Sequence, residues 1–314
     1  MDPRELKSGG DSINLYERLN DSEAEAVRTG STDGNLDRVK HAVEHFKQTS
    51  GDDDLKLKQY LRDFYCFAFN KGDCPVLAYL IGQGVEITEL DFATATNRKS
   101  YPLLQTLLDH GWDINRPMSW HEPPALMYAV EDEDLVKWFL SHGASPNATA
   151  SILDLTALSF AIARASLSSI KLLFYHGGTI GHGELLQFAV FRKCSDCLEV
   201  IDFLLELGAP LNDIMYQNHL QSYMMMMAFG LGTPLHKAAE QGRLDVVQHL
   251  IKRGADPWIP DARRKLAVDM AEFGGHEEVA KFLRGYMHTR PEVRTYFTDD
   301  ERFHVHSSSG GEDS

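Results

Sequence analysis

Thr233-Pro234-Leu235-His236-Lys237-Ala238-Ala239-Glu240-Gln241-Gly242 is the stretch that decides the fold of this chain. The Thr233 hydroxyl is suited to capping a helix. Pro234 at the first helical position lacks only an N–H that would be unsatisfied anyway. Leu235 points to a core, and Ala238 and Ala239 are small enough for neighbouring inner helices to approach closely. Gly242 permits a left-handed turn. A second helix follows from Leu244 to about Arg253, with Val246, Val247, Leu250 and Ile251 forming one apolar stripe. Gly254 ends it as a C-terminal cap, and Ala255-Asp256-Pro257 leads into a turn. The unit is helix, turn, helix, capped turn.

Working outward, the unit recurs 33 residues later, with Leu235 matched by Val268, Ala238 by Ala271, Gly242 by Gly275 and Leu250 by Leu283. Fainter copies run backwards from it. Leu186-Gln187-Phe188-Ala189 leads to Gly208, Leu158-Ser159-Phe160-Ala161 to Gly177-Gly178, and Leu126-Met127-Tyr128-Ala129 to Gly143. Phe92-Ala93-Thr94-Ala95 leads to Gly111, Tyr65-Cys66-Phe67-Ala68 to Gly84, and Val27-Arg28-Thr29-Gly30 reads as a worn first copy.

The spacing and the TPLHxAA pattern resemble the ankyrin repeat. The resemblance covers residues 22–285 in about eight units. It implies an all-α ankyrin-repeat solenoid of helix-turn-helix units with short hairpin turns, because no unit can bury its apolar face alone. It also implies that inner helices and turns line a concave binding side. His236 would hydrogen-bond between neighbouring turns as a structural residue. The two residues before each inter-helix glycine would face the groove: Asn70 and Lys71, Asn97 and Arg98, Glu131 and Asp132, Ala163 and Arg164, Phe191 and Arg192, Glu240 and Gln241. One slot of the inner helix holds Phe67, Tyr128, Phe160 and Phe188, which reads either as half-buried core or as a contact stripe. Trp112, Trp120 and Trp258 lie in turns; Trp258 stands where the family has Asn, beside a hairpin, and large rings are typical interface anchors.

One segment breaks the period. Leu186 and Leu235 are 49 residues apart, and most of the excess falls at 213–232. That insertion contains Tyr216, Tyr223 and four methionines at 224–227, among them Met225. It reads either as a cover over its own repeat or as a contact element, since methionine surfaces repack around varied partners. Residues 1–21 and 286–314 are polar and expected to be disordered.

Composition narrows the function classes. Lys and Arg number 31 against 46 Asp and Glu, a net charge of −15. This disfavours phosphate backbones and anionic lipid, so neither nucleic acid nor membrane is expected as a partner. No apolar run reaches the length of a membrane span, and the first residues carry no signal-peptide pattern. Four cysteines suit a reducing compartment, cytoplasm or nucleus. Cys194-Ser195-Asp196-Cys197 lacks the second pair that zinc requires, and its helical flanks do not suit a redox motif. His304-Val305-His306 lies in the tail. His110, His142 and His176 fall at the ends of second helices, and Asp52-Asp53-Asp54 and Glu131-Asp132-Glu133-Asp134 read as solvated turns. No nucleophile, phosphate-binding or metalloprotease motif is present. The expectation is a monomeric, non-enzymatic protein-interaction module (adaptor, scaffold or inhibitor) without metal or cofactor. The alternative is a substrate-recruiting subunit of a larger assembly such as a ubiquitin ligase.

Overall fold

The computed structural model describes residues 36–49 and 54–289. The readings of residues 1–21, of Val27-Arg28-Thr29-Gly30, of Asp52 and Asp53 and of the tail beyond 289, His304 and His306 included, lie outside these. Among the described residues the regular structure is helical, apart from one isolated antiparallel bridge between Thr149 and Thr156. The chain divides into two compact units: one runs up to Ala209 and takes in Asn218–Met224, the other comprises Pro210–Gln217 and the chain from Met225 onward.

In the first unit α1 (Leu36–Thr49) precedes five helix pairs. These are α2 (Asp54–Lys71) with α3 (Cys74–Gly82), α4 (Glu89–Asn97) with α5 (Tyr101–Asp109), α6 (Leu126–Ala129) with α7 (Glu133–Ser141), α8 (Ala157–Arg164) with α9 (Leu167–Tyr175), and α10 (Leu185–Val190) with α11 (Cys197–Glu206). First helices stack in series, α4 on α6, α6 on α8 and α8 on α10; second helices do the same, α1 on α3, α3 on α5 and α7 on α9. Short helix α12 (Leu220–Met226) lies within the insertion. In the second unit α13 (Pro234–Glu240) pairs with α14 (Leu244–Lys252), and α15 (Ala267–Phe273) with α16 (Glu277–Thr289). There α13 packs on α15 and α14 on α16. The last helix passes the boundary at 285 read from the sequence.

The core is the set of residues that the repeat pattern marks. Phe92, Ala95, Leu126, Ala129, Leu158, Ala161, Leu186 and Ala189 are buried along the first helices of the first unit, and Leu235, Ala238 and Ala271 in the second. Each fully buried Leu or Phe contributes about 1.5–3 kcal/mol. Alanine recurs because first helices meet side by side, where a longer side chain would force them apart. Gly242 has φ +67°, and a Cβ there would also run into the His276 ring, so both conformation and space demand glycine. Lys99 takes the corresponding left-handed position after α4, with φ +52°.

The structure differs from the sequence reading in two places here. Asp54 opens α2 rather than sitting in a solvated turn, and pairs with Lys58 one turn on at 2.7 Å. This lengthens α2 because Tyr60, Leu61 and Phe64 supply a further buried face, with Tyr60 stacked on Phe46 of α1 at 3.9 Å. Trp112 is buried rather than offered by its turn, lying flat against Phe92 with centroids 5.1 Å apart.

Replacing Ala238 by Leu should lower stability by roughly 1–3 kcal/mol through overpacking. An unchanged denaturation midpoint would place this residue on a different face.

Candidate functional site

Turns are tied to turns by side chains that satisfy backbone groups of the next repeat. The Asn115 amide donates to the Gly143 carbonyl at 3.0 Å and its oxygen accepts the Ser145 N–H at 2.7 Å. Asn147 repeats this with Gly177 at 2.8 Å and Thr179 at 2.9 Å. In the second unit Asn212 does the same with Gly254 at 3.4 Å and Asp256 at 2.9 Å, a reach of 44 residues that skips the whole insertion. A second set of ties starts from the helix caps. His236 Nδ1 accepts from the Thr233 N–H at 3.1 Å and faces the Thr233 hydroxyl at 2.9 Å, while its Nε2–H donates to the Lys265 carbonyl at 3.0 Å. Ser159 performs the same role beside Thr156, its hydroxyl donating to the Gly183 carbonyl at 2.6 Å.

These ties hold the ends of the first helices in place. In the first unit Asn70, Lys71, Asn97, Arg98, Glu131 and Arg164 are exposed there and Asp132 is half-buried. They interlock from repeat to repeat: Arg98 donates to the Asn70 side-chain oxygen at 2.9 Å, Lys99 pairs with Asp132 at 2.5 Å, and Arg164 approaches Glu131 at 3.5 Å. Asp132 also caps α7 by accepting the Leu135 N–H at 3.0 Å, so this acidic run has a structural role as well. The Lys99 ammonium and the cap bond hold the Asp132 carboxyl below the usual carboxylate range. Cations lie over rings, Lys71 over Phe67 at 5.8 Å and Arg164 over Phe160 at 5.2 Å. Phe67, Tyr128, Phe160 and Phe188 are all half-buried, and Phe188 adjoins both Phe160 and the exposed Phe191, each at 6.1 Å. Burial, then the Glu122 carboxylate, push the Tyr128 phenol up to about 12, so it remains a donor to Glu122 at 3.3 Å. In the second unit Glu240 is exposed, and Gln241 and Trp258 are half-buried.

Arg192 and Tyr216 depart from the expectation of exposed contact residues. Arg192 is only 1 % exposed. Its Nε and Nη2 grip the Asp196 carboxylate at 2.7 and 2.6 Å, and Nη1 donates to the Ile162 carbonyl of the preceding repeat at 3.1 Å. The spacing of four residues across the turn lets the guanidinium fold inward. Tyr216 is buried at φ +62° near the start of the insertion.

The insertion combines buried and exposed side chains. Met215 N–H donates to the Gly232 carbonyl at 3.1 Å, closing its neck. Ser222, fully buried, accepts the Asp154 N–H at 2.9 Å and lies 2.7 Å from His219 Nδ1. Part of the segment is thus a structural cover on the first unit. Tyr223 is half-buried, whereas Leu220, Met224, Met225 and Phe229 are exposed, Phe229 to 72 %.

Among the described residues three serines meet a histidine: Ser119 lies 3.1 Å from His121 Nδ1, Ser141 3.2 Å from His142 Nδ1 and the buried Ser222 2.7 Å from His219 Nδ1. The Asp154 carboxylate, near Ser222, accepts instead from His182 Nδ1 at 3.1 Å. Cys194 is exposed while Cys197 is buried with its thiol on the Ala189 carbonyl at 3.4 Å. His110 and His142 cap α5 and α7 and donate from Nδ1 to the Thr106 and Trp138 carbonyls at 2.8 and 2.7 Å. No group of three or more His, Cys, Asp or Glu among the described residues is placed to hold a metal, and no described helix is long and apolar enough to cross a membrane.

Stacked helix pairs joined turn to turn, with a side-chain face along the first helices, define a helical-repeat interaction module. The chain is an ankyrin-repeat protein: models of ankyrin repeats in many copies match residues 126–174 and 204–271. It is similar to human espin-like protein, 43 % identical over 53 residues, or 17 % of this chain and 5 % of that protein. It is 24 % identical over 289 residues to ankyrin repeat protein nuc-2 of Neurospora crassa, covering 80 % of this chain and 27 % of that protein. It is 44 % identical over 54 residues to human cyclin-dependent kinase inhibitor 2A, covering 17 % of this chain and 35 % of that protein. The chain therefore spans well under half the length of each of these relatives.

Two outcomes follow from these ties. Arg192→Ala should destabilise the fold by roughly 3 kcal/mol, near the low end for a broken buried pair because Asp196 retains some solvent. Arg192→Lys should recover only part of this, since it keeps the charge but not the two-toothed grip; a loss below 1 kcal/mol in urea unfolding for the alanine variant would contradict the assignment. The second outcome concerns pH. Burial lowers the pKa of His236. The unfolded chain therefore takes up the proton first, and the stability that neutral His236 supports is complete above pH of about 6.5 and declines as pH falls below it. The stability gap between the native chain and His236→Gln should narrow between pH 7.5 and 5. A gap constant across that range would refute this.

Proposed function

We propose that this chain works by binding a protein partner through the first-helix ends and adjoining turn tips, as an adaptor, scaffold or inhibitor. The observation that carries this reading is the row from Asn70 to Arg164, in which three pairs, Asn70 with Arg98, Lys99 with Asp132 and Glu131 with Arg164, bridge from one repeat to the next while all but the half-buried Asp132 remain exposed. A surface ordered before contact loses little conformational freedom on binding. The residues Tyr223, Met225, Glu240, Gln241 and Trp258 extend the proposal to the insertion and the second unit. Arg192 and Tyr216 are excluded from direct contact by burial and act through the shape of the turns that they hold. Recruitment within a larger enzyme assembly would use the same surface and differs only in what else is bound.

The test is site-specific photo-crosslinking in cell extract. A benzophenone amino acid at Asn97 or Phe191 should yield a discrete adduct with another protein. The same group on second helices, at Gln105 or Lys171, should not. Equal adducts from both faces, or none from Asn97 and Phe191, would remove the reading.

A further inference from the structure

We propose that the partner segment seated on the first unit is an acidic peptide in which carboxylates alternate with apolar side chains, the carboxylates taken by Lys71, Arg98 and Arg164. This rests on the reading that the first-helix ends form a partner site, and it adds the chemistry of the partner. The chain as a whole carries −15, so an excess of cations on one face runs against its composition. Along the row from 70 to 164 the exposed cations are Lys71, Arg98, Lys99 and Arg164, against the carboxylates Glu131 and Asp132.

The pairing within the row leaves capacity for an incoming anion. Asp132 is engaged by Lys99 and by the cap of α7. Among the described residues no carboxylate lies within ion-pair distance of Lys71 or Arg98; Arg98 is held by the neutral Asn70 amide. Arg164 donates from Nη2 to the Met127 carbonyl at 3.4 Å, and its one carboxylate contact is the loose, solvated approach to Glu131 at 3.5 Å, a kind of pair worth little and readily exchanged. All three cations are drawn over rings: Lys71 over Phe67 at 5.8 Å, Arg98 over Phe69 at 5.7 Å, Arg164 over Phe160 at 5.2 Å. A ring beneath a cation orients it and removes part of its water, so a carboxylate arriving from above meets a charge already placed. The half-buried rings of Phe67 and Phe160 offer apolar floor beside those charges. Helices pack about 8–10 Å apart. Lys71 to Arg164 crosses three such steps, roughly 25–30 Å, which an extended peptide covers in about eight or nine residues at ~3.3 Å each. A polyphosphate chain fits less well, because Glu131 and Asp132 interrupt the row and would face its continuous charge.

The experiment uses the full chain and fluorescein-labelled twelve-residue peptides of Glu, Asp, Leu and Ser, with a counterpart carrying Gln and Asn for Glu and Asp. Binding is followed by anisotropy at low and high salt. The acidic peptide should bind at least tenfold tighter than the amide peptide and weaken as salt rises. The variant K71E/R98E should lose at least tenfold, with its circular dichroism and denaturation midpoint unchanged. The variant K171E/K281E, which makes the same change in net charge on second helices, should lose less than twofold. Equal binding of acidic and amide peptides, no binding of either, equal losses in the two variants, or binding of a twelve-nucleotide oligothymidine as tight as the peptide would each overturn the proposal. Adducts from Asn97 that persist under any of those outcomes would leave the partner site standing and remove only its preference for acid.

Discussion

A pair of short helices has two apolar faces and can bury only one of them against itself. Every other property of this chain follows from the need to cover the second face with the next pair. First helices must then lie side by side, which is why alanine recurs at Ala95, Ala129, Ala161, Ala189, Ala238 and Ala271, all buried. Burial supplies the free energy but not the register, because apolar contact is not directional. Register comes from the polar ties: Asn115, Asn147 and Asn212 each bind a carbonyl and an N–H of the following turn, and Ser159 and His236 each bind a carbonyl there.

The same ties leave the side chains at the first-helix ends with a lighter share of the backbone's needs: Asp132 caps α7 through the Leu135 N–H and Arg164 donates to the Met127 carbonyl at 3.4 Å. Beyond that they form the weaker row of Asn70, Arg98, Lys99, Asp132, Glu131 and Arg164. Surface pairs of this sort add little stability and are readily exchanged for a partner's groups. Arg192 marks the limit of that logic. At the same register as Arg164 it folds inward, grips Asp196 and reaches the Ile162 carbonyl, and so becomes part of the frame.

The insertion at 213–232 shows the two demands in one segment. Within the second unit Asn212 bonds across it to Gly254 and Asp256, so the turn that opens it is tied to the turn after α14. Within it, Tyr216, Ser222 and Leu231 are buried, while Leu220, Met224 and Phe229 face solvent. A segment of this composition needs some cover, and burial of three residues anchors it without consuming its apolar surface.

Residue spacing alone was enough to determine the repeat, the helix pairs and most of the core. The pattern at Thr233–Gly242 is local: cap, proline, small residues and left-handed glycine each act within one turn of helix, and their copies repeat at a nearly constant interval. The bland possibility for Phe67, Tyr128, Phe160 and Phe188, half-buried rings, was likewise open to reading because one slot of one helix sets it. What only the tertiary structure decided depends on groups far apart in sequence. Ser159 standing in for histidine, Arg192 turning inward, Trp112 lying on Phe92, and Ser222 meeting Asp154 all require atoms brought together across 20 to 68 residues or across a turn whose direction spacing does not specify. A polar or aromatic side chain at a turn has the same appearance in sequence whether it faces water or a neighbouring repeat, and the neighbour exists only once the stack has formed.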